Sequence, residues 1–186
     1  MKRSFDIFLS CLLIILFSIP ILLVALAVRI TSKGPALYIS DRIGINNSIF
    51  KMYKFRTMKI DTPAVATHLM ENPEGYLTCV GRFLRKSSLD ELPQLFNILK
   101  GDMSFVGPRP ALFNQQDLIE LRTSKGIHSL APGLTGWAQI NGRDDLPIPV
   151  KVDFDEYYYK NYSFFLDLKI LFMTFFKVMR CKGVDH

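Results

Sequence analysis

Hydrophobic positions run unbroken near the start of the chain, alternate with polar ones after residue 35, and return at helical spacing near the end. The 22 residues from Ile7 to Val28 carry no charge. As a straight helix they would reach roughly 33 Å, close to a hydrocarbon core of about 30 Å. Two features oppose a straight span. Pro20 removes a backbone donor and clashes with the preceding turn, so a bend is predicted there and each arm reaches only about halfway. Cations flank both ends, Lys2 and Arg3 before the run and Arg29, Lys33 and Arg42 after it. Placing both ends on one cytoplasmic face satisfies all of these charges. The pattern predicts a re-entrant, membrane-anchoring helix over residues 1–33, bent near Pro20, followed by one domain over residues 34–186. Ala25-Leu26-Ala27 matches a small-x-small cleavage site, but the uninterrupted run continuing through Val28-Arg29-Ile30 argues against a cleaved signal peptide.

Alternation marks Ala36–Ser40 and Ile49–Arg56 as strands, joined into a hairpin by the Gly44-Ile45-Asn46-Asn47-Ser48 turn. Lys51 and Lys54 interrupt the apolar residues of the second strand. Residues 61–75, with Pro63 and Pro73, read as an exposed, mobile connection. A helix is expected to begin near Asp90, bury Leu92, Leu95, Phe96 and Leu99, and stop at Gly101. Ser88 and Glu91 have the spacing of a capping box at its start, and Asp90 is itself a good N-cap residue. Residues 132–143 alternate like a short strand between glycine turns. The stretch from Asp155 is aromatic and basic, Glu156-Tyr157-Tyr158-Tyr159-Lys160 and then Phe164 to Arg180. As a helix it sets Lys169, Lys177 and Arg180 within an arc of about 80°, with tyrosines at headgroup depth, as in a helix lying on a membrane surface. The fold class is therefore α+β, mainly helical: a re-entrant membrane helix, a small β-hairpin and interfacial amphipathic helices around a compact cytosolic domain.

Composition adds charge to this outline. The chain of 186 residues has a formal charge of +6, which fits a phosphate-rich partner such as a nucleotide, an anionic lipid surface or a nucleic acid. Cys11, Cys79 and Cys181 are scattered without metal-ligand spacing, so neither a disulfide framework nor a zinc site is indicated. The candidate chemistry lies in two runs. Ser88-Leu89-Asp90-Glu91-Leu92-Pro93-Gln94-Leu95 offers paired acids at a helix start, where carboxylates serve as helix caps, nucleophile or metal ligands. Gly107-Pro108-Arg109-Pro110 holds an arginine between two prolines, a planar fork on a stiff backbone suited to phosphate. Lys54, Arg56, Arg85 and Arg143 are further candidate phosphate ligands, and Asp167, within an apolar stretch, requires a cation or ligand partner.

These motifs, with Lys54-Phe55-Arg56-Thr57-Met58, Gly133-Leu134-Thr135-Gly136-Trp137-Ala138-Gln139 and Leu166-Asp167-Leu168-Lys169, occur in an order that resembles the bacterial sugar transferases known as monotopic phosphoglycosyl transferases. The similarity is to the minimal, single-domain form. It implies transfer of a sugar 1-phosphate from a UDP-sugar to polyprenyl phosphate with release of UMP, through a covalent aspartyl phosphosugar. By position, it implies Asp90 as nucleophile and Asp90 with Glu91 as catalytic pair and Mg2+ ligands. Lys54, Arg56, Arg85, Pro108, Arg109, Pro110 and Arg143 are implied to bind substrate, with Asp155 and Asp167 supporting the site. The implied partners are a UDP-sugar, polyprenyl phosphate and membrane lipid, with no nucleic acid. The implied location is the cytoplasmic face of the bacterial inner membrane, inserted in one leaflet, with residues 34–186 as a catalytic domain ending in an interfacial helix. Three positions depart from the common pattern: Ile19 rather than serine before Pro20, Ser40 in place of a glutamine, and Ala131 in place of a basic residue. The competing reading is a membrane-anchored basic binding module whose acids only cap a helix.

Overall fold

The computed structural model describes residues 1–63, 73–142 and 146–179. Two helices, α1 (Lys2–Leu16) and α2 (Ser18–Thr31), bend by 63° at Phe17. Among the described residues no single helix is long and apolar enough to cross a membrane; only this bent pair has the length and composition together. The break precedes Pro20 by three residues. Pro20 lies in the first turn of α2, where an N–H has no intrahelical partner, so the helix restarts there without losing a bond. The hairpin is inverted relative to a water-facing helix: Asp6 and Ser10 are buried, while Phe8, Ile15, Leu16, Ile19 and Leu22 are exposed.

Strands β1 (Leu37–Ile43) and β2 (Ile49–Phe55) form the expected antiparallel hairpin, with Leu37 opposite Phe55 and Ile43 opposite Ile49. The first strand runs three residues beyond the expected Ser40, because Asp41 pairs with Lys51 and Ile43 N–H donates to the Ala111 carbonyl. Asn46 and Asn47 take left-handed backbone in the turn, which asparagine tolerates. The expected mobile connection falls largely on residues outside the described ones, apart from a short turn over Pro73–Tyr76.

Helix α3 (Cys79–Ser87) is capped by Thr78, whose hydroxyl accepts from Gly81 N–H at 3.0 Å. The helix expected from Asp90 starts later. Leu89–Glu91 form a single 3-10 turn, and α4 spans Gln94–Lys100, closed by Gly101 at φ 101°. The capping box does not form: Ser88 ends α3 in left-handed backbone, and its side chain makes no cap hydrogen bond. The later start also rotates the buried face, which carries Leu95 and Ile98 with Asn97, while Phe96 is exposed. Asn97 joins this helix to β2, accepting from Tyr53 N–H and donating to the Lys51 carbonyl.

The short parallel pair β3 (Ser104–Val106) and β4 (Gly133–Thr135) brackets α5 (Gln116–Ser124). Among the described residues of the expected 132–143 strand only Gly133–Thr135 pair, and Trp137–Asn141 turn into α6. The C-terminal stretch forms two helices, α7 (Ile148–Lys160) and α8 (Phe164–Met179). The chain breaks at Asn161–Ser163, where the Ser163 hydroxyl accepts from Leu166 N–H to start α8. Arg180, expected on the basic arc, lies outside the described residues. Helix α8 repeats the inversion of the hairpin: Asp167 and Ile170 are buried, while Phe165, Phe172 and Phe175 are exposed. The core unites Phe50, Met52, Leu95, Ile98, Phe105, Val106, Tyr158 and Ile170 from β2, α4, β3, α7 and α8.

Candidate active site

Lys54 follows Phe50 and Met52 on the same face of β2, because strand side chains alternate. The first two are buried in the core, so an apolar residue would normally come next. Lys54 instead reaches Glu91 with Nζ 2.8 Å from Oε1. Helix α3 packs against the end of that strand, where Thr57 accepts from the Arg85 guanidinium at 3.0 Å. Ser88, at φ 57° and ψ 16°, reverses the chain at the end of α3. A left-handed, non-glycine residue carries local backbone strain. The turn it starts places Asp90 inward.

Asp90 is only 7% exposed. Burial pushes its carboxyl up to about 6, assisted by the neighbouring Glu91 charge and opposed by Lys54, Arg85 and Arg109. The same burial lowers the Arg85 guanidinium, against the opposing effect of Asp90. Three cations therefore converge on one buried carboxylate that is ionised at neutral pH. Glu91 lies beside it, bonded to Lys54 and 3.7 Å from Arg109. Cations grouped around a carboxylate are suited to receiving phosphate within reach of a nucleophile.

The Arg109 loop is positioned by close backbone contact. A Cβ at Gly107 would collide with the Ala131 carbonyl, and one at Gly133 with Gly107 N, so both positions require glycine for β3 and β4 to meet. Pro108 and Pro110 are buried on either side of the partly accessible Arg109. The Pro108 carbonyl accepts from Gly133 N–H at 2.8 Å, and the Pro110 carbonyl from Arg42 at 3.3 Å. Ser40 lies under that arginine and accepts from its Nε. A cavity of about 30 Å³ lies behind the loop, lined in part by Pro108, Pro110, Arg122 and His128. It has room for about one water, too little for a nucleotide.

Asp155 and Asp167 lie behind the loop rather than among the three cations. Asp155 is buried and accepts from Arg122 Nη2 at 2.6 Å and Nε at 3.0 Å, while Arg122 Nη1 donates to the Arg109 carbonyl at 2.8 Å. Asp167 accepts from Lys2 and Tyr158, which supplies the partner expected for it. Arg56 points elsewhere, donating to the Pro35 carbonyl and lying over the Tyr38 ring. Arg143 lies outside the described residues.

Thr57, Arg122 and Lys2 take part in this arrangement although the sequence did not mark them as site residues. Arg122 carried one signal: it lies four residues after buried Leu118 on the inward face of α5, where an arginine requires an anion.

Among the described residues no three His, Cys, Asp or Glu side chains gather as a metal cage. The adjacent acids Asp90 and Glu91 still fit magnesium, which is commonly held by one or two carboxylates together with substrate phosphates.

Comparison with known proteins identifies the family of the chain. A family model described as bacterial sugar transferase matches residues 1–181. The sugar transferase EpsL of Bacillus subtilis is 43% identical over 188 residues, covering 100% of this chain and 91% of EpsL. The UDP-glucose:undecaprenyl-phosphate glucose-1-phosphate transferase of Escherichia coli is 42% identical over 95% of this chain. The undecaprenyl-phosphate galactose phosphotransferase of Salmonella typhimurium is 40% identical over 98% of it. The last two are longer, and the matched region is 40% and 41% of their respective lengths.

Proposed function

We propose that the chain, which belongs to the bacterial sugar transferase family, moves a sugar 1-phosphate from a UDP-sugar to polyprenyl phosphate and releases UMP. The observation that carries this reading is the buried Asp90 carboxylate facing Lys54, Arg85 and Arg109. The named activities of the longer relatives support the substrate classes. They differ in sugar, glucose in one and galactose in the other.

In this mechanism an Asp90 oxygen attacks the phosphorus that bears the sugar. An oxygen–phosphorus bond forms, the bond from that phosphorus to the bridging oxygen breaks, and UMP departs with its electron pair. A phosphate oxygen of the polyprenyl phosphate then attacks the same phosphorus and displaces Asp90, yielding polyprenyl diphosphosugar. Arg109, Arg85 and Lys54 hold phosphate oxygens and offset charge as it develops on the leaving group. Glu91 keeps Lys54 and Arg109 directed into the site. A magnesium ion held by Asp90, Glu91 and the substrate phosphates would supply further charge neutralisation.

The exposed apolar faces of the α1–α2 hairpin and of α8 support membrane embedding. The 63° bend fits a re-entrant hairpin, and this reading puts both of its ends at the cytoplasmic face of the bacterial inner membrane. There the cytosolic nucleotide sugar meets a lipid phosphate at headgroup depth.

UMP release from a panel of UDP-sugars, with polyprenyl phosphate and magnesium, tests the reading. Wild type should release UMP with at least one sugar, and Asp90→Asn should lose about 1,000-fold or more, as expected for removal of a covalent nucleophile. No release from any sugar, or an unimpaired variant, overturns it. Salt-sensitive nucleic-acid binding without turnover would favour the binding module instead.

A further inference from the structure

The inward face of α1 carries polar groups in an otherwise apolar segment, and they converge on one strand. Lys2 Nζ donates to the Val106 carbonyl at 2.9 Å, to Tyr158 Oη at 3.0 Å and to Asp167 Oδ2 at 2.7 Å. All three ammonium protons thus have acceptors. Tyr158 Oη donates in turn to Asp167 Oδ1 at 2.6 Å. Burial and the adjacent Asp167 hold the Tyr158 phenol well above its ordinary range, so it remains a donor. One turn along α1, Asp6, 4% exposed, accepts from Phe105 N–H at 3.2 Å. Arg3 donates to the Ile98 and Leu99 carbonyls at the end of α4.

Phe105 and Val106 are the last residues of β3 before Gly107-Pro108-Arg109-Pro110. We propose that the foot of the membrane hairpin is a clamp on the Arg109 loop, with Lys2, Asp6 and Asp167 as positioning residues that set the guanidinium's height relative to the bilayer. A buried ion pair is a costly way to gain stability, since an apolar pair of similar size often does as well. Its use here is directional. Gly107 N–H is tied to the Thr135 carbonyl at 2.9 Å, and the prolines fix φ on either side of Arg109. A displacement of Val106 therefore reaches the guanidinium instead of dissipating along a flexible loop. The anchor that meets the lipid substrate and the arginine that meets its phosphate then move as one body. This inference rests on the transferase reading, but it has a structural readout of its own.

Hydrogen exchange on the full chain in lipid nanodiscs compares wild type with Lys2→Met, which keeps the aliphatic stem. The amides of Phe105 and Gly107 should exchange about tenfold faster, while those of α5 stay unchanged, as expected for local opening. Equal acceleration in both segments, or none in either, overturns the clamp. Where Lys2→Met does not fold, Tyr158→Phe removes one donor and one acceptor from the same cluster and should accelerate the β3 amides by about threefold, again sparing α5. A double-mutant cycle links the clamp to Arg109. Lys2→Met should lower kcat/KM by about tenfold in wild type but by less than about threefold in Arg109→Lys, because the same loop is already compromised. Equal losses in both backgrounds contradict the proposal. If wild type releases UMP from no sugar, the transferase reading fails while the exchange experiment still judges the clamp.

Discussion

Replacing Asp90 with asparagine should stabilise the protein while abolishing turnover. The carboxyl is displaced from 3.8 to about 6, chiefly by burial. At about 1.4 kcal/mol per unit, the ionised form destabilises the fold by about 3 kcal/mol at pH 7.5. The sign follows from proton uptake. Below pH 6 the folded protein takes a proton before the unfolded chain does, so the penalty shrinks as pH falls, to about 1 kcal/mol at pH 4.5. Asparagine mimics the neutral acid and escapes the penalty. For a chain of this size each kcal/mol corresponds to about 2–4 °C, so Asp90→Asn should raise Tm by about 6–12 °C at pH 7.5 and by only about a third of that at pH 4.5. Thermal melts in detergent at both pH values provide the assay. A lower Tm for the variant at pH 7.5, or a shift of equal size at both pH values, would mean that Lys54, Arg85 and Arg109 outweigh desolvation, and would refute the reasoning.

Other outcomes follow from the same site. The kcat/KM profile should fall with unit slope below about pH 6 as Asp90 takes up its proton. Lys54→Met removes the largest opposing cation and should move this limb to higher pH. Asp155→Asn strands the buried Arg122 charge and should cost about 3–5 kcal/mol in denaturant melts. It should also weaken UDP-sugar binding, because Arg122 holds the Arg109 carbonyl. Chelation of divalent ions should abolish UMP release and magnesium should restore it, as measured in the same turnover assay. Cysteines at exposed positions 4 and 33 should both react with an impermeant maleimide from the cytoplasmic side only. Labelling of either from the opposite side would contradict the re-entrant hairpin.

Local features of the fold were largely legible in the sequence. Alternation located the β1–β2 hairpin, and Pro20 located the bend to within three residues. The acid pair and the proline-framed arginine were visible because their chemistry is unusual at those positions. The helix near Asp90 starts later than the sequence pattern predicts, since Ser88 and Glu91 carry the capping spacing but Ser88 adopts left-handed backbone at the end of α3. The supporting pairs were out of reach for another reason. Arg122 finds Asp155 33 residues away, and Lys2 finds Asp167 165 residues away, so neither pair leaves a periodic trace. Lys54 is intermediate: its place in the second strand marks it as a candidate, but its pairing with Glu91 is visible only in the structure.

The central claim is that Asp90 becomes bonded to phosphorus during each cycle. Intact-protein and peptide mass spectrometry of the enzyme quenched with UDP-sugar and magnesium, before polyprenyl phosphate is added, tests it most directly. One added sugar-phosphate mass should appear on the Asp90 peptide and disappear when the lipid acceptor is supplied. A protein that turns over but never carries that mass, with UMP appearing only when both substrates are present, would contradict it.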